Sequence, residues 1–169
     1  MSITLTDIPD AVDEYLETQV ITTVSPVTPK DEKQDVLTPG QDGRVTVTAT
    51  NGDATKGVRL RNLVYQVTVK DGAVLKLIPP AVNSVSLQAF EDKEATKPIN
   101  DTKARKEFFV VPLINNVLDA GEAGTISLDV HCLDQGQTSI TARLHADVDQ
   151  DELFPTSKTK NGEQTVDVV

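Results

Sequence analysis

The sequence predicts an all-β protein: an antiparallel Greek-key β-sandwich carrying a short N-terminal arm of one helix and one strand. Three observations predict it. Residues 125–148 alternate apolar and polar side chains almost without interruption, the period-two signature of strands buried on one face. Turn signals (Asn51-Gly52, Asp71-Gly72, Pro79-Pro80, Asn161-Gly162) separate eight or nine short apolar runs. Only one stretch has helical periodicity, so no βαβ rhythm is present.

That stretch opens the chain. Thr6 or Asp7 can cap a helix, Pro9 falls in its first turn, and Asp10 suits the positive end of its dipole. Ile8, Val12, Tyr15 and Leu16 form a stripe at i, i+4, i+7, i+8. Val20, Ile21 and Val24 follow in a β-prone run stopped by Pro26 and Pro29. These seven apolar residues are the candidate interaction surface, because a short stripe and a lone strand need something to pack on. Residues 1–27 are therefore read as an arm. Residues 28–42, with Pro29, Pro39, Gly40 and the cluster Lys30-Asp31-Glu32-Lys33, are read as a linker or a long first loop. Residues 43–169 form the body.

In the body, Val45, Val47 and Ala49 alternate with Thr46 and Thr48. The next strand slips phase: Val58 and Leu60 are even, whereas Leu63, Tyr65, Val67 and Val69 are odd. A one-residue slip near Asn62 predicts a β-bulge, or a kink that lets one strand serve two sheets. Asp71-Gly72 predicts a tight hairpin into residues 74–78. Val85, Leu87 and Ala89 mark another strand. Residues 91–107 are polar, of mixed charge and long for a connection, so they predict a functional protrusion or a mobile loop. Phe108-Phe109-Val110-Val111 is a strand apolar on both sides, and residues 113–124 read as a loop.

Residues 125–148 are expected to be one long hairpin turning at Asp134-Gln135-Gly136-Gln137. Pairing Cys132 with Ile140 puts Ile126, Leu128 and Val130 on one face with Ala142, Leu144 and Ala146, and sets Asp129 opposite Arg143. A last strand covers residues 164–169.

This strand rhythm over residues 43–169 resembles the immunoglobulin-like and fibronectin-type sandwiches of many microbial surface and virion proteins, with a jelly-roll-like arrangement as the other outline. The resemblance implies a sandwich of two sheets. It implies no activity, and the Cys…Trp…Cys pattern of antibody-type domains is absent.

Composition narrows the functions. A net charge of −10 makes the surface acidic, so neither nucleic acid nor an anionic membrane is an expected partner. With two Tyr, four Phe and no Trp, little is available to stack sugars or bases. Cys132 is the only cysteine, so no intrachain disulfide forms, and its inward position marks a small core residue. Residues 1–20 carry Asp7, Asp10, Asp13, Glu14 and Glu17 and no apolar h-region. The expectation is a product made in the cytoplasm without a signal peptide, ending in a virion or an extracellular assembly by another route.

Asp147, Asp149, Asp151 and Glu152 are the sharpest local feature: carboxylates at alternate positions can wrap oxygen ligands around Ca²⁺, the one cofactor the sequence suggests. The run lacks an EF-hand glycine, and a solvated acidic turn is the alternative. In the proposed hairpin Ser127 faces His145 beside Asp129 and Asp147, parts of a nucleophile–base set, but a flat strand face offers no oxyanion hole. His131 and His145 would be roughly 13 Å apart along the ladder, too far for one metal ion. Asn100-Asp101-Thr102 is a formal glycosylation sequon, read as chance without a secretory signal. The chain is therefore expected to be a non-enzymatic structural or interaction protein that self-assembles or decorates a larger particle, as a virion component or filament subunit. Its partners would be protein: itself or the assembly. The alternative is a calcium- or carbohydrate-binding module using residues 147–152.

Overall fold

The structure, a computed structural model, describes residues 20–52, 59–149, 154–158 and 162–169, with side chains except at 148, 149 and 154–158. Among these residues the protein is all-β, with twelve strands: β1 (Val20–Val24), β2 (Thr28–Pro29), β3 (Asp42–Asn51), β4 (Arg59–Val69), β5 (Leu75–Ile78), β6 (Leu87–Phe90), β7 (Glu107–Pro112), β8 (Val117–Leu118), β9 (Ala123–Cys132), β10 (Gly136–Asp149), β11 (Phe154–Lys158) and β12 (Gly162–Val168). The first sheet runs β1-β3-β9-β5, with β2 beside β3. The second runs β11-β10-β4-β7-β6, with β12 on β10 and β8 on β4. All pairings between these strands are antiparallel. Most sheet neighbours are not consecutive in sequence, which is the Greek-key interleaving. The helix expected over the stripe Ile8–Leu16 lies outside the described residues.

The inward residues of both sheets meet in one core. Val45, Val47, Ile126, Leu128 and Val130 come from the first sheet, and Leu63, Tyr65, Val67, Ile140 and Leu144 from the second. The phase slip in β4 is the expected bulge. His145 pairs with Val64 but Asp147 pairs with Arg61, so two residues of β4 face one of β10, and Asn62 adopts a positive φ of 54°. The slip returns Leu63 and Tyr65 to the core without moving β4 into the other sheet.

Two expected hairpins are crossings between sheets. β9 and β10 do not pair: β9 lies in the first sheet between β3 and β5, and β10 in the second beside β4. Asp129 therefore sits opposite Arg44 and Ile78 rather than Arg143, and ion-pairs with Lys30 (2.8 Å) and Arg44 (3.4 Å). β4 and β5 likewise belong to different sheets, so Asp71-Gly72 is a crossing too. Its local chemistry is the turn that was expected, with the Asp71 carboxylate accepting from Ala73 N at 2.9 Å. What differs is the partner of the flanking backbone. Leu133 N and Asp134 N both donate to Val74 O, and Asp71 N donates to the Thr138 hydroxyl, so the two crossings bond to each other. Gly136, at φ 149°, passes so close that a Cβ there would lie 3.0 Å from a Val74 methyl.

Segments read as loops are tied down. Residues 28–42 contribute β2 and a buried Leu37, whose carbonyl accepts from Val169 N. Within 91–107, the Asp92 carboxylate caps a turn by accepting from Thr96 N and Lys97 N, and Arg105 bridges Glu91 and Asp101. This turn explains why β7 is apolar on both sides. Phe108 and Val110 face the core, whereas Phe109 joins Val64 and Phe90 in an outer cluster against which Ala95 packs. The strand expected around Val85 starts only at Leu87, because the Ser84 hydroxyl holds the amides of Ser86 and Leu87 in a turn.

Candidate functional site

β9 is ten residues long and has unequal neighbours. On one side β3 pairs with it from Ala123 to His131. On the other, β5 pairs only from Asp129 to Cys132. The next residues of β5 would be Pro79 and Pro80, which have no N–H to donate and turn the chain away. The outer edge of residues 123–128 thus has no strand partner among the described residues. In an antiparallel sheet every second residue of such a stretch turns both its N–H and its C=O toward the empty side.

A hollow lies at each end of this edge. The larger, about 610 Å³, is lined by Leu63, Tyr65, Ile114, Val117, Leu118 and the first residues of β9. The smaller, about 310 Å³, lies between Pro79-Pro80, Leu87 and Ser127–Leu128. Tyr65 forms the floor of the larger one. It is buried, its hydroxyl has no hydrogen-bond partner among the described residues, and burial pushes its pKa up to about 12. Gly124 makes room for that hydroxyl, since a Cβ there would lie 2.9 Å from Tyr65 Oη and 3.0 Å from Leu118. In its lining Ile114 and Val117 are exposed beside the polar Asn115, Asp119 and Glu122, and Leu113 N donates to Ser86 O. At one end Arg59 Nε bonds Asp119 Oδ1 at 2.6 Å, and this hydrogen bond holds the Asp119 carboxyl below its usual range.

The residues singled out in the sequence are dispersed. Val20 and Val24 are buried in the core of their own chain, with β1 paired on β3, while Ile21 is exposed. Ile8, Val12, Tyr15 and Leu16 lie outside the described residues, as do Asp151, Glu152 and the side chain of Asp149. Asp147 is described, and its carboxylate accepts from Asn62 Nδ2 at 2.7 Å. Among the described residues no three His, Cys, Asp or Glu side chains are placed to share a metal ion. The Ser127–His145 constellation is taken apart by the crossing at Gly136: Ser127 and Asp129 lie on the first sheet, His145 and Asp147 on the second. His131 bonds Asp42 Oδ1 at 2.7 Å and His145 bonds Gln66 Oε1 at 2.9 Å, on opposite sheets. Burial, then Arg143 and Lys93, lower the pKa of His145 to about 4 against an opposing effect of Glu94. Cys132 is buried, as expected, and burial raises its thiol pKa.

Sequence reasoning missed the open edge. Its one local signal was Pro79-Pro80, which says where β5 stops but not that β9 continues beside it.

The two sheets and their interleaved order define an immunoglobulin-like β-sandwich. No protein-family model and no curated protein matches the chain. Among solved structures it is similar to the CARDB domain of a Pyrococcus furiosus protein (11% identity, TM-score 0.43, covering 89% of this chain and 94% of that one). It is also similar to the T6 backbone pilin of Streptococcus pyogenes (12%, 0.42, 89% and 35%) and to the collagen-binding domain of a Staphylococcus aureus adhesin (9%, 0.42, 86% and 96%). Likenesses this slight assign no ligand or partner; the strand order itself defines the class.

Proposed function

We propose that the chain is a non-catalytic structural module that assembles with copies of itself, or decorates a larger particle, as a virion component or filament subunit. The observation behind this reading is the six-residue open edge of β9, flanked by hollows, the larger of which has the exposed Ile114 and Val117 in its lining. An open edge beside apolar surface is what strand addition uses: main-chain hydrogen bonds supply affinity, and alternate side chains entering the hollows supply specificity. The acidic surface is compatible with a protein partner and unfavourable for a phosphate-rich one.

Light scattering over a concentration series tests the reading. The intact chain should rise above its 18.2 kDa monomer mass as concentration increases, and Ile114→Asp/Val117→Asp, both exposed positions, should return it to monomer without lowering the melting temperature. A chain that stays monomeric throughout overturns self-assembly; an assembly indifferent to the double substitution moves the contact elsewhere.

A further inference from the structure

We propose that the hollow over Tyr65 receives a basic side chain, lysine or arginine, carried by an extended protein segment that adds to the open edge of β9. The proposal deepens the strand-addition reading above and rests on it, because it names the side chain by which the edge chooses its partner. Four observations carry it.

The first is the direction of the free backbone groups. Just before β9, Glu122 O accepts from Asn51 N, and at its end Cys132 N donates to Gln41 O, both toward the β3 side. Even-numbered residues here therefore turn their backbone groups to β3, and the odd-numbered Ala123, Thr125 and Ser127 turn theirs to the open side. Even-numbered side chains face inward, as the buried Ile126 and Leu128 do. An incoming residue opposite Gly124 consequently points its own side chain inward, at a non-hydrogen-bonded pair, where facing side chains come closest.

The second is room. Gly124 has no side chain to oppose the incoming one, and it lines the 610 Å³ hollow with Leu63, Tyr65 and Leu118. The third is an unused hydroxyl. Tyr65 is 1% exposed, and its hydroxyl has no hydrogen-bond partner among the described residues. A buried hydroxyl left in that state is costly, and a polar group arriving through the hollow relieves it. Its Oη lies 2.9 Å from where a Cβ of Gly124 would be. Facing Cβ atoms are about 5 Å apart, so Oη is about 8 Å at most from the incoming Cβ. Serine and threonine stop short of it. A lysine or arginine stem spans the distance and lays its methylenes along Leu63 and Leu118.

The fourth is charge. The charged side chains in the lining are Asp119 and Glu122, both acidic. Asp119 is paired with Arg59. Glu122 is held in place by accepting from Asp119 N at 3.0 Å, and it has no ion-pair partner among the described residues. An acidic side chain entering the hollow is repelled there, and a basic one finds both a carboxylate and the Tyr65 oxygen as acceptors.

Peptide titration followed by amide NMR shifts tests the proposal. The probe is the capped heptapeptide Thr-Val-Thr-Lys-Thr-Val-Thr, with norleucine or glutamate replacing the lysine in two controls. The lysine peptide should shift the amides of Thr125 and Ser127 and bind about tenfold more tightly than the norleucine peptide, with the glutamate peptide weakest. Tyr65→Phe should reduce the lysine advantage and leave the norleucine affinity unchanged. Glu122→Gln, which keeps an acceptor for Asp119 N, should do the same. Melting temperatures check that both variants stay folded. Equal affinities for lysine and norleucine overturn the proposal and leave strand addition at the edge standing. A lysine advantage that survives both substitutions also overturns it, since the basic group then binds elsewhere. Amides of Thr125 and Ser127 that respond to no peptide overturn it too, and light scattering alone then decides whether copies assemble.

Discussion

Sheet edges are treated in two ways in this molecule. The free side of β6 is covered: Glu91 N donates to Lys97 O, Ile99 N donates to Ala89 O, and Phe90 bridges Pro98. β5 is covered in the same manner, with Leu77 and Arg105 exchanging both backbone bonds at 2.7 Å. Residues 97–105 thus close two edges, one in each sheet, anchored by the buried Ile99. Residues 123–128 of β9 have no such cover among the described residues. The difference shows what the long polar segment 91–107 does: it supplies backbone partners where strands end, without needing the apolar alternation of a strand. Where a chain closes two edges and leaves a third beside a hollow, the third is the place to look for a partner.

The comparison can be broken at its core first. Leu144→Ala, in β10 opposite Tyr65 of β4, should cost about 3–5 kcal/mol, and Leu128→Ala, at the open edge where neighbours can collapse inward, about 2–3 kcal/mol. Urea melts measure both, and equal costs would mean the edge is as constrained as the interior. Uncovering a closed edge comes next. Ile99→Ala should cost about 2 kcal/mol and speed amide hydrogen exchange at Glu91 and Ile99, leaving residues 124–128 unchanged. Gly124→Ala, which crowds the Tyr65 hydroxyl and Leu118, should cost about 1–2 kcal/mol. Thr141→Ala, on the outer face of β10, should stay within about 0.5 kcal/mol.

A further effect is one of pH. His145 has a folded-state pKa of about 4, below its unfolded value of 6.5. The unfolded chain therefore takes up this proton first as pH falls. The contribution of His145 is complete above pH 6.5 and lost between 6.5 and 4. Melting temperatures between pH 7 and 5 should fall less steeply in His145→Gln than in the wild type. Parallel curves would remove His145 from the pH response.

Much of this arrangement was written locally. The alternation of Ile126, Leu128, Val130 and Cys132, and of Ile140, Ala142, Leu144 and Ala146, decides which side chains face inward, because successive residues of a strand point to opposite faces. The phase slip at Asn62 announced the bulge for the same reason, and Cys132 was legible as core. Which sheet each strand joins was not local. An inward-facing row is buried equally well beside its neighbour in one sheet or across from it in the other, so the alternation of residues 125–148 could not tell a hairpin from a crossing. The backbone contacts of Val74, far from Gly136 in sequence and beside it in space, decided that. The candidate site followed from the same choice. Pro79-Pro80 ends β5 in any fold, but that ending leaves an open edge only because tertiary pairing places β5 beside the second half of β9 and nothing described beside the first.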